Sequence, residues 1–260
     1  MTSITPQSVA ESMNNDLQRL YDSYLPEIHP LIEKCGWAKD KVSQLFTMYV
    51  DESYVQAPYK LLLIGRETFG WYSYGVEKMA ASLMNDYRDF SQFGKHFNSP
   101  FWWFRRDLSQ KFGIAEGEFM KATLWTNVSK IDVGKTRPDN TAKQFDQLVQ
   151  VFIRLLVAEI AIVKPDVVVI MTRDGFYNWH LENYNWRENK TYFTSHSVPA
   201  KLEKRRLEGV RIDQLMAGGL LPNHTYQMCH PRALVSKGGS KTNLFIEAIH
   251  RSVSESANAL

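Results

Sequence analysis

The sequence predicts an α/β protein, a three-layer α/β/α sandwich built on a four-stranded, mainly parallel sheet with helices added at the N-terminus. Four short apolar runs each end in a polar loop, as buried parallel strands do. Residues 121 to 171 alternate strand, long helix and strand, the order of a right-handed βαβ unit. No repeat or low-complexity linker divides the 260 residues. One domain is therefore expected, with an N-terminal helical layer over 1–57 and an α/β core over 58–260.

Apolar spacing assigns the elements in chain order. Apolar residues that recur every three or four positions predict helices over residues 7–24, 31–35, 38–49, 75–90, 141–163 and 243–253. Continuous apolar runs predict strands at Lys60–Ile64, Lys121–Val128, Val167–Met171 and Thr225–Cys229. Pro26 and Pro30 are expected to break the N-terminal helical layer, because proline removes a helical hydrogen bond. A short helix is expected near Phe176–Leu181, and the rest of 174–224 shows no clear pattern.

Composition narrows the class of protein. A net charge of +3 and a pI near 8.7 permit contact with phosphates without a strongly basic, clustered face. The two cysteines, Cys35 and Cys229, provide no disulfide framework and too few ligands for a cysteine-only metal or iron–sulfur site. The longest apolar stretch is interrupted by Arg154 and Glu159, and the N-terminus lacks a signal-peptide pattern. We expect a cytoplasmic monomer with reduced thiols and neither cofactor nor metal.

Polar residues follow each predicted strand and would meet at one edge of the sheet. They are Glu67, Asn127, the pair Arg173–Asp174 and His230. Open α/β sheets bind ligands at this carboxyl edge. An amide such as Asn127 can read the edge of a nucleobase, a histidine can donate to a carbonyl, and a carboxylate can orient water and stabilise a cationic sugar. The alternative role of Glu67 is to cap the helix that follows.

The motifs GRETFGW, NSPFWW, LWTNVSKID, KPDVVVIM and HPRAL, in this order, resemble the uracil-DNA glycosylase superfamily over residues 58 to 250. The resemblance implies a uracil-DNA glycosylase-like fold in which Glu67 positions the attacking water and His230 bonds the pyrimidine carbonyl. Glu67 stands where many members have Asp or Asn. The segment around Asn127 resembles the iron–sulfur branch, but the cluster cysteines are absent.

The resemblance also implies residues that hold the base. Phe69 would lie beside C5 of the pyrimidine, Phe101 would stack on the flipped base, and Asn127 would read its edge. Each has a structural alternative: Phe101 as a core residue, Asn127 as a strand-end turn residue, and His230 as a hydrogen-bonding residue of its loop.

Contacts with the DNA backbone are expected in the C-terminal loops. Leu234 matches the residue that wedges into the duplex where the base has left, and Arg232 replaces the small residue usual after His-Pro. Lys237, Ser240 and Lys241 are expected to hold phosphates through charge and backbone amides. The alternative for this last segment is a solvated loop.

The expected function is a monofunctional DNA glycosylase that flips out a damaged or modified pyrimidine, hydrolyses its N-glycosidic bond and leaves an abasic site. Uracil and modified cytosine are both candidates, and they correspond to base-excision repair and to defence against phage with modified DNA. The DNA partner is double- or single-stranded. A non-catalytic DNA-binding protein that keeps the fold, and a hydrolase of free nucleosides or nucleotides, are the alternatives.

Overall fold

A computed structural model describes residues 4–72, 79–93, 98–138, 143–172, 181, 192–196, 212–216, 221–236, 239–240 and 242–257. The helices are α1 Pro6–Lys34, α2 Glu52–Gln56, α3 Ala80–Phe93, α4 Pro100–Lys111, α5 Phe119–Ala122, α6 Lys143–Val163 and α7 Thr242–Ala257. The strands are β1 Leu61–Gly65, β2 Thr123–Asn127, β3 Val167–Ile170, β4 Tyr192–His196, β5 Ile212–Met216, β6 His224–Gln227, β7 Val235–Ser236 and β8 Gly239–Ser240. Short 3₁₀ helices cover Glu116–Glu118 and Pro231–Leu234.

The main sheet has the order β2-β1-β3-β6-β5-β4. Its first four strands are all parallel, which confirms the predicted α/β class and the four predicted strands. Two antiparallel strands, β5 and β4, extend the sheet beyond β6. They come from the segment for which the sequence indicates no strand. The sheet is therefore wider than predicted, and its four-stranded parallel part carries the candidate site.

Helices cover both faces of the parallel part. Leu62 and Ile64 of β1 lie in one core, together with apolar residues of α1, α3 and α6. Leu61 and Leu63 lie in a second core, with residues of α4, α5 and α7. Side chains of a strand alternate between the faces, so a strand covered on both sides is apolar at every position. This explains why the apolar run at β1 is continuous.

The N-terminal helix α1 is unbroken through Pro26 and Pro30, so the predicted interruption is wrong. Both prolines are exposed and lie four residues apart, on the solvent side of the helix. The carbonyl groups that lose their partners there can be hydrated, which lowers the cost of each proline. The opposite side of α1 carries Leu17, Tyr21 and Ile28 and packs against α6. Burial of this face maintains the helix.

Residues 38–49 form no helix, contrary to the prediction from their apolar spacing. Val42 to Val50 run as a largely buried, extended segment along the loop that follows β2. The amide of Ser43 donates to the carbonyl of Asp132 at 2.9 Å, and the amide of Phe46 donates to the carbonyl of Lys130 at 2.7 Å. Hydrogen bonds to a distant loop thus replace those of a helix, an example of tertiary contacts overriding local propensity.

The remaining predicted elements agree with the structure to within a few residues where they are described. The long helix over 141–163 is α6, and the closing helix over 243–253 is the longer α7. The helix expected near Phe176–Leu181 falls almost entirely outside the described residues. Within the described residues, no helix combines the length and apolar character that a membrane span requires.

Candidate functional site

The candidate site lies where β1 and β2 end side by side. Gly65 and Asn127 are register partners in these parallel strands. A Cβ atom added to Gly65 would lie 2.3 Å from Oδ1 of Asn127, which is too close for any side chain. The amide of Asn127 therefore lies directly against the backbone of the neighbouring strand. Glycine at position 65 makes room for it.

Asn127 is 2% exposed, and among the residues that the structure describes none is a hydrogen-bond partner of its Nδ2 group. Leaving a buried donor unsatisfied costs about 1–3 kcal/mol. Five other buried side-chain atoms of the described residues also lack a partner, so Asn127 is distinguished by its place at the carboxyl edge of the sheet, against Gly65. An acceptor atom on a ligand would satisfy this donor.

His230 approaches from the loop that follows β6. Its Nδ1 accepts a hydrogen bond from the backbone amide of Arg232 at 3.2 Å. A neutral imidazole that accepts at Nδ1 carries its proton on Nε2. His230 can therefore donate a hydrogen bond through Nε2. A histidine held in this tautomer is suited to a carbonyl or oxyanion.

Phe101, in the first turn of α4, packs next to His230. The two rings are nearly parallel, with an interplanar angle of 17° and centroids 6.4 Å apart. Phe101 is half-buried and also contacts Trp125 of β2, with ring centroids 5.8 Å apart. Trp125 is two residues before Asn127, so side-chain alternation places both on the same face of the strand. The structure thus brings Phe101, Asn127 and His230 to one edge of the sheet.

A group of packed aromatic side chains around Trp125 lies next to this edge of the sheet. Trp125 contacts the rings of Phe46, Trp71 and Trp102 at centroid distances of 4.5, 5.7 and 5.2 Å. The backbone amide of Trp125 donates to the hydroxyl of Tyr87 at 3.1 Å. Burial raises the pKa of Tyr87 above its usual value, so its hydroxyl stays neutral. Packed rings of this kind hold β2, and therefore Asn127, in one position.

Glu67 lies two residues past the end of β1, in a loop tied to the end of β2. The carbonyls of Gly65 and Arg66 accept hydrogen bonds from the amides of Val128 and Ser129, at 3.0 and 2.8 Å. The Glu67 side chain is 17% exposed, and its Oε1 atom lies 4.0 Å from Nη2 of Arg66. The carboxylate is thus partly accessible to water while its backbone is fixed. The next described helix begins at Ala80, and residues 73–78 lie outside the described residues, so the alternative that Glu67 caps a helix stays a prediction.

Asp132 is a buried site residue that the sequence analysis missed. Its carboxylate accepts hydrogen bonds from the hydroxyl of Thr68 at 2.7 Å and from the amide of Gly70 at 2.8 Å, both in the Glu67 loop. It also accepts from the amide of Lys135 at 2.9 Å. The sequence signal for it was the motif LWTNVSKID, in which it is the last residue.

Backbone strain marks the same pair of loops. Tyr72 and Lys135 are two of the three non-glycine residues with positive φ in the described part of the chain, at 46° and 60°. Each such residue costs on the order of 1–3 kcal/mol, and they concentrate at functional sites. The strain thus coincides with the loop that carries Glu67 and with the loop that carries Asp132.

Phe69 and Leu234 lie differently from what their expected roles require. Phe69 is 82% exposed, so its ring does not close off a pocket in this structure. Leu234 is 1% exposed and packs in the core shared by α4 and α7, so in this conformation it cannot enter a duplex. The exposed residues of the Pro231–Leu234 turn are Arg232 and Ala233.

The expected phosphate-binding residues are only partly described. Arg232 is exposed, and its backbone amide donates to Nδ1 of His230. Ser240 belongs to β8, which pairs with β7 in a small antiparallel sheet. Lys237 and Lys241 lie outside the described residues.

Among the residues that the structure places, no three His, Cys, Asp or Glu side chains are grouped closely enough to hold a metal ion. Comparison with models of known protein families gives no match, and comparison with curated proteins likewise gives none. Function must therefore be inferred from the site itself.

Proposed function

We propose that this chain is a monofunctional DNA glycosylase of the uracil-DNA glycosylase type, which hydrolyses the N-glycosidic bond of a damaged or modified pyrimidine. The observation that carries the proposal is the buried Nδ2 group of Asn127, which has no hydrogen-bond partner in the described part of the chain. It lies at the same sheet edge as His230, which is held as an Nε2 donor. Two fixed donors beside a half-buried phenylalanine suit a flat heterocycle that bears carbonyl groups.

Recognition would use the edge and the face of a flipped base. Nδ2 of Asn127 would donate to a ring carbonyl, which satisfies the orphan donor. Phe101 would stack on the ring, a contact worth about 1–3 kcal/mol per base and independent of sequence. Extrusion of the base costs roughly a few kcal/mol, which these contacts and those to the DNA backbone would offset.

Hydrolysis would divide the chemistry between two residues. As the bond between C1′ and the base nitrogen breaks, both electrons leave with the base, and negative charge develops on its carbonyl oxygen. Nε2–H of His230 would stabilise that charge. The sugar becomes cationic, and the carboxylate of Glu67 would stabilise it, align a water molecule at C1′ and accept the proton of that water. The base anion then takes up a proton and Glu67 releases the one it accepted, so the products are a free base and an abasic site.

The position of Phe69 bears on which pyrimidine is accepted. A bulky ring beside C5 would exclude substituted pyrimidines, but Phe69 is 82% exposed. This exposure favours a pyrimidine with a substituent at C5, such as a modified cytosine, over uracil alone. With that substrate, the enzyme would act in defence against phage with modified DNA rather than in repair.

Base release from defined DNA is the decisive experiment. Oligonucleotides that contain uracil, hypoxanthine or modified cytosines, and phage DNA with modified cytosines, would be incubated with the wild type, Glu67→Gln and the control Glu116→Gln. Glu116 is an exposed acid in the 3₁₀ helix before α5. The wild type and the control should release at least one base at similar rates. Glu67→Gln should be slower by roughly 100-fold or more, as expected for loss of an acid–base group.

Other outcomes point to other functions. Equal rates for the wild type and Glu67→Gln would remove Glu67 from the mechanism. Tight DNA binding without base release would favour a non-catalytic DNA-binding protein. Cleavage of free nucleosides but not of DNA would favour a nucleoside hydrolase.

A further inference from the structure

One carboxylate joins the loop that carries Glu67 to the loop that follows β2. Oδ2 of Asp132 accepts from the hydroxyl of Thr68 at 2.7 Å and from the amide of Gly70 at 2.8 Å, and Oδ1 accepts from the amide of Lys135 at 2.9 Å. The amide of Trp71 adds a longer contact of 3.4 Å to Oδ2. Hydrogen bonds to an ionised acceptor are stronger than neutral ones. Both oxygens of this buried side chain are therefore committed to backbone positions and to Thr68.

Asp132 is itself held in place by the extended N-terminal segment. The amide of Asp132 donates to Oγ of Ser43 at 2.9 Å, and the amide of Ser43 donates to the carbonyl of Asp132 at 2.9 Å. Oγ of Ser43 also lies 3.3 Å from Oγ1 of Thr68. Three segments that are distant in the chain thus meet at Asp132: the segment of Ser43 holds its backbone, and the loop that carries Glu67 holds its carboxylate.

We propose that Asp132 is a positioning residue that aims the carboxylate of Glu67 at the reacting sugar, an inference that rests on the proposed glycosylase activity. Glu67 directly precedes Thr68, whose side chain is bonded to Asp132. On the other side, the carbonyl of Arg66 accepts from the amide of Ser129. The backbone of Glu67 is thus fixed before and after the residue. A displacement of about 1 Å in a catalytic group can cost roughly 100-fold in rate.

Asp132→Asn tests this role while leaving the size of the side chain unchanged. The amide nitrogen of asparagine would face either the amide of Gly70 or that of Lys135, and in both cases a donor meets a donor. The matched control is Asp166→Asn. Oδ2 of Asp166 accepts from the amide of Lys60 at 2.8 Å, at the opposite end of β1. Both substitutions weaken hydrogen bonds between a carboxylate and backbone amides that flank β1. Only Asp132→Asn does so near Glu67.

The expected result is a loss in kcat rather than in substrate affinity. Asp132→Asn should lower kcat by roughly 100-fold with KM changed by less than about threefold, because substrate contacts persist while the carboxylate is misplaced. Asp166→Asn should keep kcat within about twofold of the wild type. A folded Asp132→Asn protein with kcat within twofold of the wild type would overturn the proposal.

A second pair of variants covers the case in which Asp132→Asn fails to fold. Thr68→Val removes the hydroxyl that donates to Asp132, and Thr68→Ser retains it. Thr68→Ser should recover most of the kcat that Thr68→Val loses. Equal losses in the two variants would show that the bond to Asp132 has no role in positioning Glu67.

Hydrogen exchange separates failure of this inference from failure of the proposed function. The amides of Gly70 and Trp71 should exchange faster in Asp132→Asn than in Asp166→Asn, whether or not the protein cleaves DNA. Inactivity of the wild type on every substrate would end the glycosylase proposal. Unchanged exchange at Gly70 and Trp71 would end the positioning role, even in an active enzyme.

Discussion

At the scale of single residues, the site depends on the close approach of Gly65 and Asn127. The amide of Asn127 occupies the space where a side chain at position 65 would be. The same amide keeps an unsatisfied donor in a buried position, at a cost of about 1–3 kcal/mol. The protein thus loses folding free energy at the position where, under the proposed function, a base would be bound. Binding sites often reduce stability in this way.

Gly65→Ala tests this arrangement. The new methyl group would lie 2.3 Å from Oδ1 of Asn127, so the amide has to move. We expect base release to fall by roughly 100-fold, the cost of a misplacement of about 1 Å. The control is Gly117→Ala, because a Cβ there meets no atom within 4 Å. Rates measured for both variants on the same oligonucleotide would decide the matter, and equal rates would show that Asn127 is not a base-reading residue.

The site residues differ in how far the sequence could predict them. The location of Asn127 and His230 at the sheet edge could be predicted, because Asn127 ends β2 and His230 follows β6 by three residues. Asp132 could not, because its role depends on Thr68 and Ser43, which are 64 and 89 residues away in the chain. Hydrogen bonds over such separations leave no periodic pattern in the sequence. The exposure of Phe69 is likewise set by the conformation of its loop.

At the scale of elements, the Pro231–Leu234 turn presents a different surface from the one expected. The amide of Ala233 donates to the carbonyl of His230 at 2.8 Å, which closes the turn and directs Leu234 into the core. Arg232 faces solvent beside His230. Under the proposed function, the contact with DNA next to the flipped base would be made by Arg232, through its charge.

Two substitutions separate these roles. Leu234→Ala should lower the free energy of unfolding by about 2–5 kcal/mol, because it leaves a cavity in the core. Arg232→Ala should leave stability nearly unchanged, weaken DNA binding, and reduce the slope of log affinity against log salt by about 1. Chemical denaturation and titrations at several salt concentrations would measure both effects, with exposed Arg19→Ala on α1 as the control. Normal stability in Leu234→Ala, combined with slower cleavage of duplex than of single-stranded DNA, would instead support a wedge.

The elements also show where local patterns fail. The four parallel strands and α6 were predictable because burial on both faces of a sheet, or on one face of a helix, leaves a plain apolar pattern. Residues 38–49 have helical spacing but pair with the loop after β2, which only the tertiary structure reveals. Pro26 and Pro30 lie on the exposed side of α1, and sequence alone does not show which side of a helix faces solvent.

At the scale of the whole molecule, one buried polar network joins the helical layer to the sheet behind the candidate site. Nζ of Lys130 lies 2.5 Å from Glu159 of α6, and both side chains are fully buried. The hydroxyl of Tyr21, on α1, donates to Glu159 at 2.8 Å and accepts from the amide of Met48 at 2.8 Å. Burial lowers the pKa of Lys130, against the opposing effect of Glu159. Lys130 lies in the loop between Asn127 and Asp132, so the network supports the site from the rear.

Because of the buried tyrosines, the free energy of unfolding should depend on pH in the alkaline range. Burial raises the pKa of Tyr21 and Tyr54 well above 10.0, and it also raises that of Tyr87. Above pH 10 the unfolded chain loses phenolic protons that the folded protein retains, so the free energy of unfolding falls. This stabilisation is complete below pH 10 and is lost as pH rises through the folded-state values. Lys130 has the opposite effect on the free energy of unfolding, because burial lowers its pKa in the folded protein. This effect is confined to pH below 10.5.

Tyr21→Phe should therefore change both the free energy of unfolding at pH 8 and the steepness with which it falls at alkaline pH. At pH 8 it should cost about 1–3 kcal/mol, because Glu159 and the amide of Met48 lose their partner. Between pH 10 and 11 its stability should fall less steeply than that of the wild type, by up to about 1.4 kcal/mol per pH unit, since one titrating group is gone. Urea unfolding at pH 8, 10 and 11 would measure this, with the half-exposed Tyr72→Phe as the control. Equal slopes in the wild type and Tyr21→Phe would show that Tyr21 does not link proton release to unfolding.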